Sequence, residues 1–172
     1  MQFRSPARLG VSIVVAAYNE ERNIAGLLRS ILDQQLAAAE LREIVVVASG
    51  CTDATHAEVE RVARTDRRIR LLVQTARLGK VAAINAYLLE RDPRCEVVVV
   101  CSADVCLHPG CLERLIEPFA AEPGLGMTGG RPIPNNQREA LLGEMVHLLW
   151  ELHHQRACQA PKLGEIDRKS VV

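Results

Sequence analysis

Apolar runs alternate with amphipathic stretches along the first two-thirds of the chain, and the alternation sets the architecture. The first run, Val11-Ser12-Ile13-Val14-Val15-Ala16-Ala17, is apolar nearly throughout, as in a strand covered on both faces. Ile24, Leu27, Leu28, Ile31 and Leu32 follow at the spacing of one helical face. A second buried strand is predicted over Glu43-Ile44-Val45-Val46-Val47, a turn over residues 48–53, and a helix from about Ala54 to Arg64. Ile69 to Val73 reads as the third strand. Leu78-Gly79-Lys80 opens a helix whose apolar side is predicted to carry Val81, Ile84, Leu88 and Leu89. Val97 to Cys101 is the fourth strand, with a helix after it from Pro109 to about Glu117. Gly126 to Pro134 can add another strand, and a long helical stretch runs from about Arg138 to Gln159. Strands alternating with helices at this spacing require right-handed crossovers, so the expected class is α/β, a mostly parallel sheet flanked by helices.

The totals exclude more than they propose. Lys plus Arg and Asp plus Glu both number 21 in 172 residues, so net charge is zero and nothing asks for nucleic acid. No apolar run approaches the ~18 residues needed to span a bilayer, and residues 1–10 lack the apolar core of a signal peptide. The expectation is a cytoplasmic chain whose six cysteines stay reduced. Cys101, Cys106, His108 and Cys111 lie close enough to suggest zinc, but the spacing is not that of a C-x-x-C knuckle. Cys51, Cys95 and Cys158 read as small fillers, and the Arg67-Arg68-Ile69-Arg70 cluster as a solvated loop before a strand.

Chemistry gathers where the strands end. In open α/β sheets ligands bind outside the carboxyl ends of the strands. The first strand delivers Tyr18 and Glu20 there, the second Ser49 and Asp53, the fourth Ser102 and Asp104. Tyr18 can stack on a flat base, and Glu20 can accept hydrogen bonds from a ribose or base. Asn19 has a plainer reading as the cap of the first helix. Lys80 stands at a helix mouth just after a glycine. An aromatic ring, a lysine, a helix amino terminus and a carboxylate suit a nucleoside diphosphate held with a divalent metal. A P-loop is excluded because no G-x-x-x-x-G-K-[ST] occurs, and no G-x-G-x-x-G follows the first strand to support a nicotinamide site.

These pieces resemble the family 2 glycosyltransferases. The matching segments are residues 11–21, Gly50-Cys51-Thr52-Asp53-Ala54-Thr55, Gly79-Lys80-Val81-Ala82-Ala83-Ile84-Asn85 and Ser102-Ala103-Asp104, in the family's order and spacing, over about Leu9 to Pro134. The resemblance implies a Rossmann-like GT-A fold and transfer of a sugar from a nucleotide-diphosphate donor, with inversion at the anomeric carbon. It also implies that Ala17, Tyr18 and Glu20 border the nucleoside, Lys80 faces the diphosphate, and Asp104 binds manganese or magnesium. The chain departs from the family at three places. Ala16 stands where many members carry Pro, and Ala48 and Ser49 stand where many carry two acids. Ser49 keeps hydrogen-bonding capacity without the charge that helps select a uracil N–H, which leaves the base open. The usual Asp-x-Asp is Ser102-Ala103-Asp104, with the metal position retained.

Transfer also needs a general base for the acceptor hydroxyl. In the resembled family that carboxylate lies well downstream of the Asp-x-Asp, and no residue of this chain is assigned to it. Residues 167–172 resemble the translation of a laboratory sequencing adapter up to its in-frame stop. The expected organisation is a donor-binding subdomain over 1–134, an incomplete acceptor-side start over 135–166, and a non-native tail over 167–172. On that expectation the chain is an inactive fragment of an enzyme that is membrane-associated, if at all, only at full length. Glu144, His147, Glu151 and His154 share one helical face, read as polar surface rather than metal ligands. The competing function is a module that binds a nucleotide sugar without turning it over. A phospho-accepting receiver is disfavoured, because Leu72-Val73-Gln74-Thr75 holds no Asp after the third strand.

Overall fold

The computed structural model of the chain describes residues 8–122, 124–135, 141–159 and 170–171. They form two compact units, residues 1–113 and 114–172. In the first, β1 (Leu9–Ala17), β2 (Ala39–Ser49), β3 (Ile69–Gln74) and β4 (Val97–Ser102) build a parallel sheet in the order β3-β2-β1-β4. Helices α1 (Ile24–Leu32), α2 (Thr55–Ala63) and α3 (Gly79–Glu90) make the connections. The α/β class and the parallel, helix-flanked sheet are as the sequence predicts.

β1 lies between β2 and β4, and Val11, Ile13, Val14 and Val15 are fully buried. This is why it reads as an apolar run broken only at Ser12. β2 begins at Ala39, four residues ahead of the predicted Glu43. Ala39, Glu40 and Leu41 pair with Leu9, Gly10 and Val11 before the register shifts at Ser12. Glu40 and Arg42, an ion pair at 3.0 Å, hide this extension from a reading by apolar runs.

The predicted face of α3 is wrong. Ala83 and Tyr87 are its buried residues, packed with Val14, Val45 and Val47, whereas Val81 is 73% and Leu89 88% exposed. Residues 81–89 are apolar on most sides, so periodicity does not select a face. Ala83 lets the helix approach the sheet, and Tyr87 reaches a polar well beneath it. The Tyr87 hydroxyl donates to Ser12 Oγ at 2.6 Å, and Ser12 Oγ donates to Glu43 Oε1 at 2.8 Å. Glu43 also accepts from Arg70 Nη1 and from the Asp92 N–H, both at 2.8 Å. Arg70, read both in the basic cluster and in the third strand, is a strand residue with a buried partner. β4 likewise departs from its all-valine pattern, because Val98 and Val100 on the α3 side are exposed.

α4 (Cys111–Ala121) runs through Pro118 rather than stopping at Glu117. In the second unit β5 (Gly129–Gly130) is only two residues of the strand expected over 126–134, and it pairs with β6 (Ser170–Val171). α5 (Leu141–Gln159) is the long last helix, and residues 138–140 of the predicted stretch lie outside the described residues. Most of the expected foreign tail, residues 167–169 and 172, also lies outside them. Among the described residues no helix is long and apolar enough to cross a membrane.

Candidate functional site

Because all four strands of the first unit are parallel, their carboxyl ends share one edge, and the loops leaving them interlock there. Asn19 does not cap α1, whose cap position is Asn23. It takes the left-handed conformation at φ 53°, a region Asn enters more readily than most residues. Its Oδ1 accepts from the Thr52 N–H at 2.8 Å, and its Nδ2 donates to Thr52 Oγ1 at 3.3 Å. The Glu20 N–H donates to Thr55 Oγ1 at 2.8 Å, and Glu21 Oε2 accepts from the Ala54 N–H at 2.9 Å.

Asp53 completes this seam. Its Oδ2 accepts from the Glu21 N–H at 3.1 Å, and its Oδ1 from the Thr55 N–H at 3.0 Å and the Thr55 hydroxyl at 2.5 Å. Burial alone would raise its pKa, but the Thr55 hydroxyl and these N–H groups hold the carboxyl below its ordinary value. Cys51 is more than a filler, since its Sγ donates to the Ala17 carbonyl at 3.6 Å and accepts from the Asn19 N–H. The turn after β1 is thus fastened to the turn after β2 by backbone and short polar side chains.

Ser49 fastens the loop after β3. It is buried, its hydroxyl donates to the Ala76 carbonyl at 3.2 Å, and its oxygen accepts from the Leu78 N–H at 3.0 Å. Gly50, at φ 65°, lies beneath the same loop, where an added Cβ would stand 2.4 Å from the Arg77 nitrogen. Arg77, between these two pinned residues, places its guanidinium 4.0 Å from the centre of the Tyr18 ring. Tyr18 remains 39% exposed beneath it. Arg77 was not among the predicted residues. Its signal was its place just ahead of Leu78-Gly79-Lys80, which carries no information about what the side chain covers.

The fourth loop joins through Lys80, whose Nζ donates to Ser102 Oγ at 3.2 Å. That bond brings the mouth of α3 against the turn that carries Asp104, an exposed carboxylate with no partner among the described residues. Ala17 is buried under the seam and contributes its carbonyl to Cys51. Glu20 shares the edge, but its Oε2 is taken by Asn23 Nδ2 at 2.8 Å. Tyr18, Ser49 and Lys80 are therefore linked through the 76–80 loop, and Lys80 is linked on to the Asp104 turn, while Glu20 leans toward α1.

Other predicted clusters take different places. Burial pushes the Cys101 thiol up to about 11, as suits a neutral filler at the end of β4, whereas Cys106 is exposed. Glu151 of α5 pairs with Arg131. Among the described residues no three His, Cys, Asp or Glu side chains are gathered as a metal cage.

A sequence profile described as glycosyl transferase family 2 matches residues 12–157. The chain belongs to that family. It is 30% identical over 131 residues to glycosyltransferase AglD of Haloferax volcanii, covering 75% of this chain and 21% of AglD. Among solved structures it is similar to mannosyltransferase PcManGT from Pyrobaculum calidifontis, in complex with GDP-Man and Mn2+. That match has 31% identity and a TM-score of 0.64, and covers 72% of this chain and 36% of that one. It is also similar to S. aureus TarS 1-349 in complex with UDP, at 25% identity and a TM-score of 0.53, covering 66% of this chain and 31% of that one. The family's GT-A, Rossmann-like architecture is the fold described above. The chain spans between a fifth and a third of the curated relatives AglD and poly-beta-1,6-N-acetyl-D-glucosamine synthase of Staphylococcus epidermidis, at 21% and 31% of their lengths.

Proposed function

We propose that this chain binds a nucleoside-diphosphate sugar at the carboxyl edge of its sheet, as the donor-binding part of a glycosyltransferase. The observation that carries the reading is the 3.2 Å bond from Lys80 to Ser102, which sets an ammonium beside the turn holding Asp104, a carboxylate unpaired among the described residues. A cation and a free carboxylate together at strand ends suit a diphosphate and its metal ion. In this reading Tyr18 supports the base and Ala17 and Glu20 border the nucleoside. Lys80 neutralises phosphate oxygens, and Asp104 is the protein's ligand to manganese or magnesium. Ser49 acts on the donor indirectly, by holding the loop between Ala76 and Leu78. Residues 1–134 are the donor-binding part, extending past the compact unit that ends at Glu113.

One carboxylate, with no metal cage around it among the described residues, fits an ion held jointly by protein and phosphates, the usual arrangement for magnesium. When bound, such an ion stabilises charge on the leaving diphosphate. The reaction proposed for the family member is attack of an acceptor hydroxyl on the anomeric carbon with inversion. The bond to the diphosphate breaks, and the hydroxyl proton passes to a general base not assigned among these residues. The relative solved with GDP-Man and Mn2+ supports the donor class and the metal. A module that binds the donor without transfer is the second reading, favoured by Ser102, which offers Lys80 a hydroxyl where the family commonly has an acid.

Calorimetric titration of GDP and UDP, with and without manganese, tests the donor site. Manganese should tighten nucleotide binding, and Asp104→Asn should weaken the manganese-dependent complex by at least about tenfold, the scale set by loss of even an outer-sphere partner. Binding indifferent to both the metal and the substitution would remove Asp104 from the site.

A further inference from the structure

We infer that Arg77 sets the base specificity of the donor site and selects guanine over uracil. The inference rests on the donor-site reading above and deepens it to a substrate class. Among the described residues the Arg77 side chain makes no ion pair or hydrogen bond, and its guanidinium lies over the Tyr18 ring, 4.0 Å from the ring centre. A guanidinium over a ring, with its N–H groups unbonded to protein among the described residues, keeps those groups available as a planar fork. Its backbone is fixed from two directions. Ser49 Oγ is bonded to Ala76 on one side and Leu78 on the other, and Gly50 lies against the Arg77 nitrogen. A long, exposed side chain rising from so firmly placed a backbone is suited to reading a ligand.

The chemistry available at the end of β2 points the same way. Ser49 has already donated its O–H to Ala76, so it brings no negative charge and no free donor to a base. The group that faces the aromatic platform is a donor fork, not an acceptor. Uracil offers an N–H between two carbonyls, which a carboxylate or amide reads well. Guanine offers O6 and N7 as neighbouring acceptors, the pair that an arginine fork matches with two parallel hydrogen bonds. On binding, the base takes the Tyr18 face and the guanidinium moves to its edge in the same plane. Arg77 is thus a specificity-determining residue that acts by hydrogen bonding, with Tyr18 indifferent to which base it stacks.

The test titrates GDP, UDP, CDP and ADP with manganese against the 172-residue chain, its Arg77→Lys variant and Asp104→Asn. The lysine variant keeps the positive charge and removes the fork, so general attraction for phosphate is unchanged. Wild type should bind GDP at least about fivefold tighter than the other three, the lower end of what one bidentate pair discriminates. Arg77→Lys should bind GDP and UDP alike. Preference for another base, or a GDP preference that survives Arg77→Lys, overturns the inference. If binding is manganese-dependent and lost in Asp104→Asn, such a result leaves the donor site standing and removes only Arg77. Binding of none of the four overturns both.

Discussion

Replacing Gly50 with alanine is expected to destabilise the chain and, in the folded fraction, to displace the loop that carries Arg77. Gly50 sits at φ 65°, where a side chain with L configuration costs about 1–2 kcal/mol. The larger effect is steric. The new Cβ would stand 2.4 Å from the Arg77 nitrogen and 2.9 Å from the Ala76 carbonyl carbon, both backbone atoms that no rotamer change relieves. Gly79 supplies the control, because it too has positive φ, 86°, but no atom within 4 Å of its added Cβ. Gly79→Ala should show the conformational cost alone. Urea denaturation of the two variants separates strain from overlap. Gly50→Ala should have the lower midpoint and the weaker nucleotide binding; equal midpoints would contradict the packing of the 76–78 loop on β2.

Glu43→Ala should be at least as damaging to stability, while leaving the donor edge intact below the melting temperature. Glu43 is a buried carboxylate that accepts from Ser12, Arg70 and the Asp92 N–H. Its removal leaves Ser12 buried with a donor unsatisfied and frees the anchor between β1, β2, β3 and the end of α3. A loss of about 3 kcal/mol follows from one or two orphaned buried groups, a large share of the stability of a small domain. Tyr87→Phe removes only the outer link, the 2.6 Å bond to Ser12, and should lose about 1 kcal/mol. Thermal unfolding of both variants, followed by circular dichroism, checks the ranking. A Glu43→Ala midpoint no lower than that of Tyr87→Phe would show that the buried carboxylate does not organise this well.

Strand positions were legible in the sequence because parallel strands covered on both faces must be apolar throughout, and β1 and β2 obey this in their central residues. The edge on which Tyr18, Lys80 and Asp104 lie follows from that arrangement alone. The face of α3 was not legible, since a helix apolar on most sides is oriented by its partner, here a sheet that admits Ala83 and hydrogen-bonds Tyr87. Nor was the use of Ser49, whose hydroxyl could serve a ligand or the backbone equally well until the 76–78 loop is in place. Arg77 was missed for a related reason. A cation paired with a ring far away in sequence leaves no local spacing signal.

If metal, diphosphate and base meet at one sheet edge as proposed, paramagnetic broadening by manganese will map that meeting place. Amide NMR spectra of the chain with a nucleoside diphosphate should lose the signals of residues 18–20, 76–80 and 102–104 as manganese is added. Those of Gly10 and residues 92–95, at the opposite ends of β1 and β4, should persist. Broadening centred on those opposite ends, or on α5, with the 102–104 turn unaffected, would rule out a donor site at this edge.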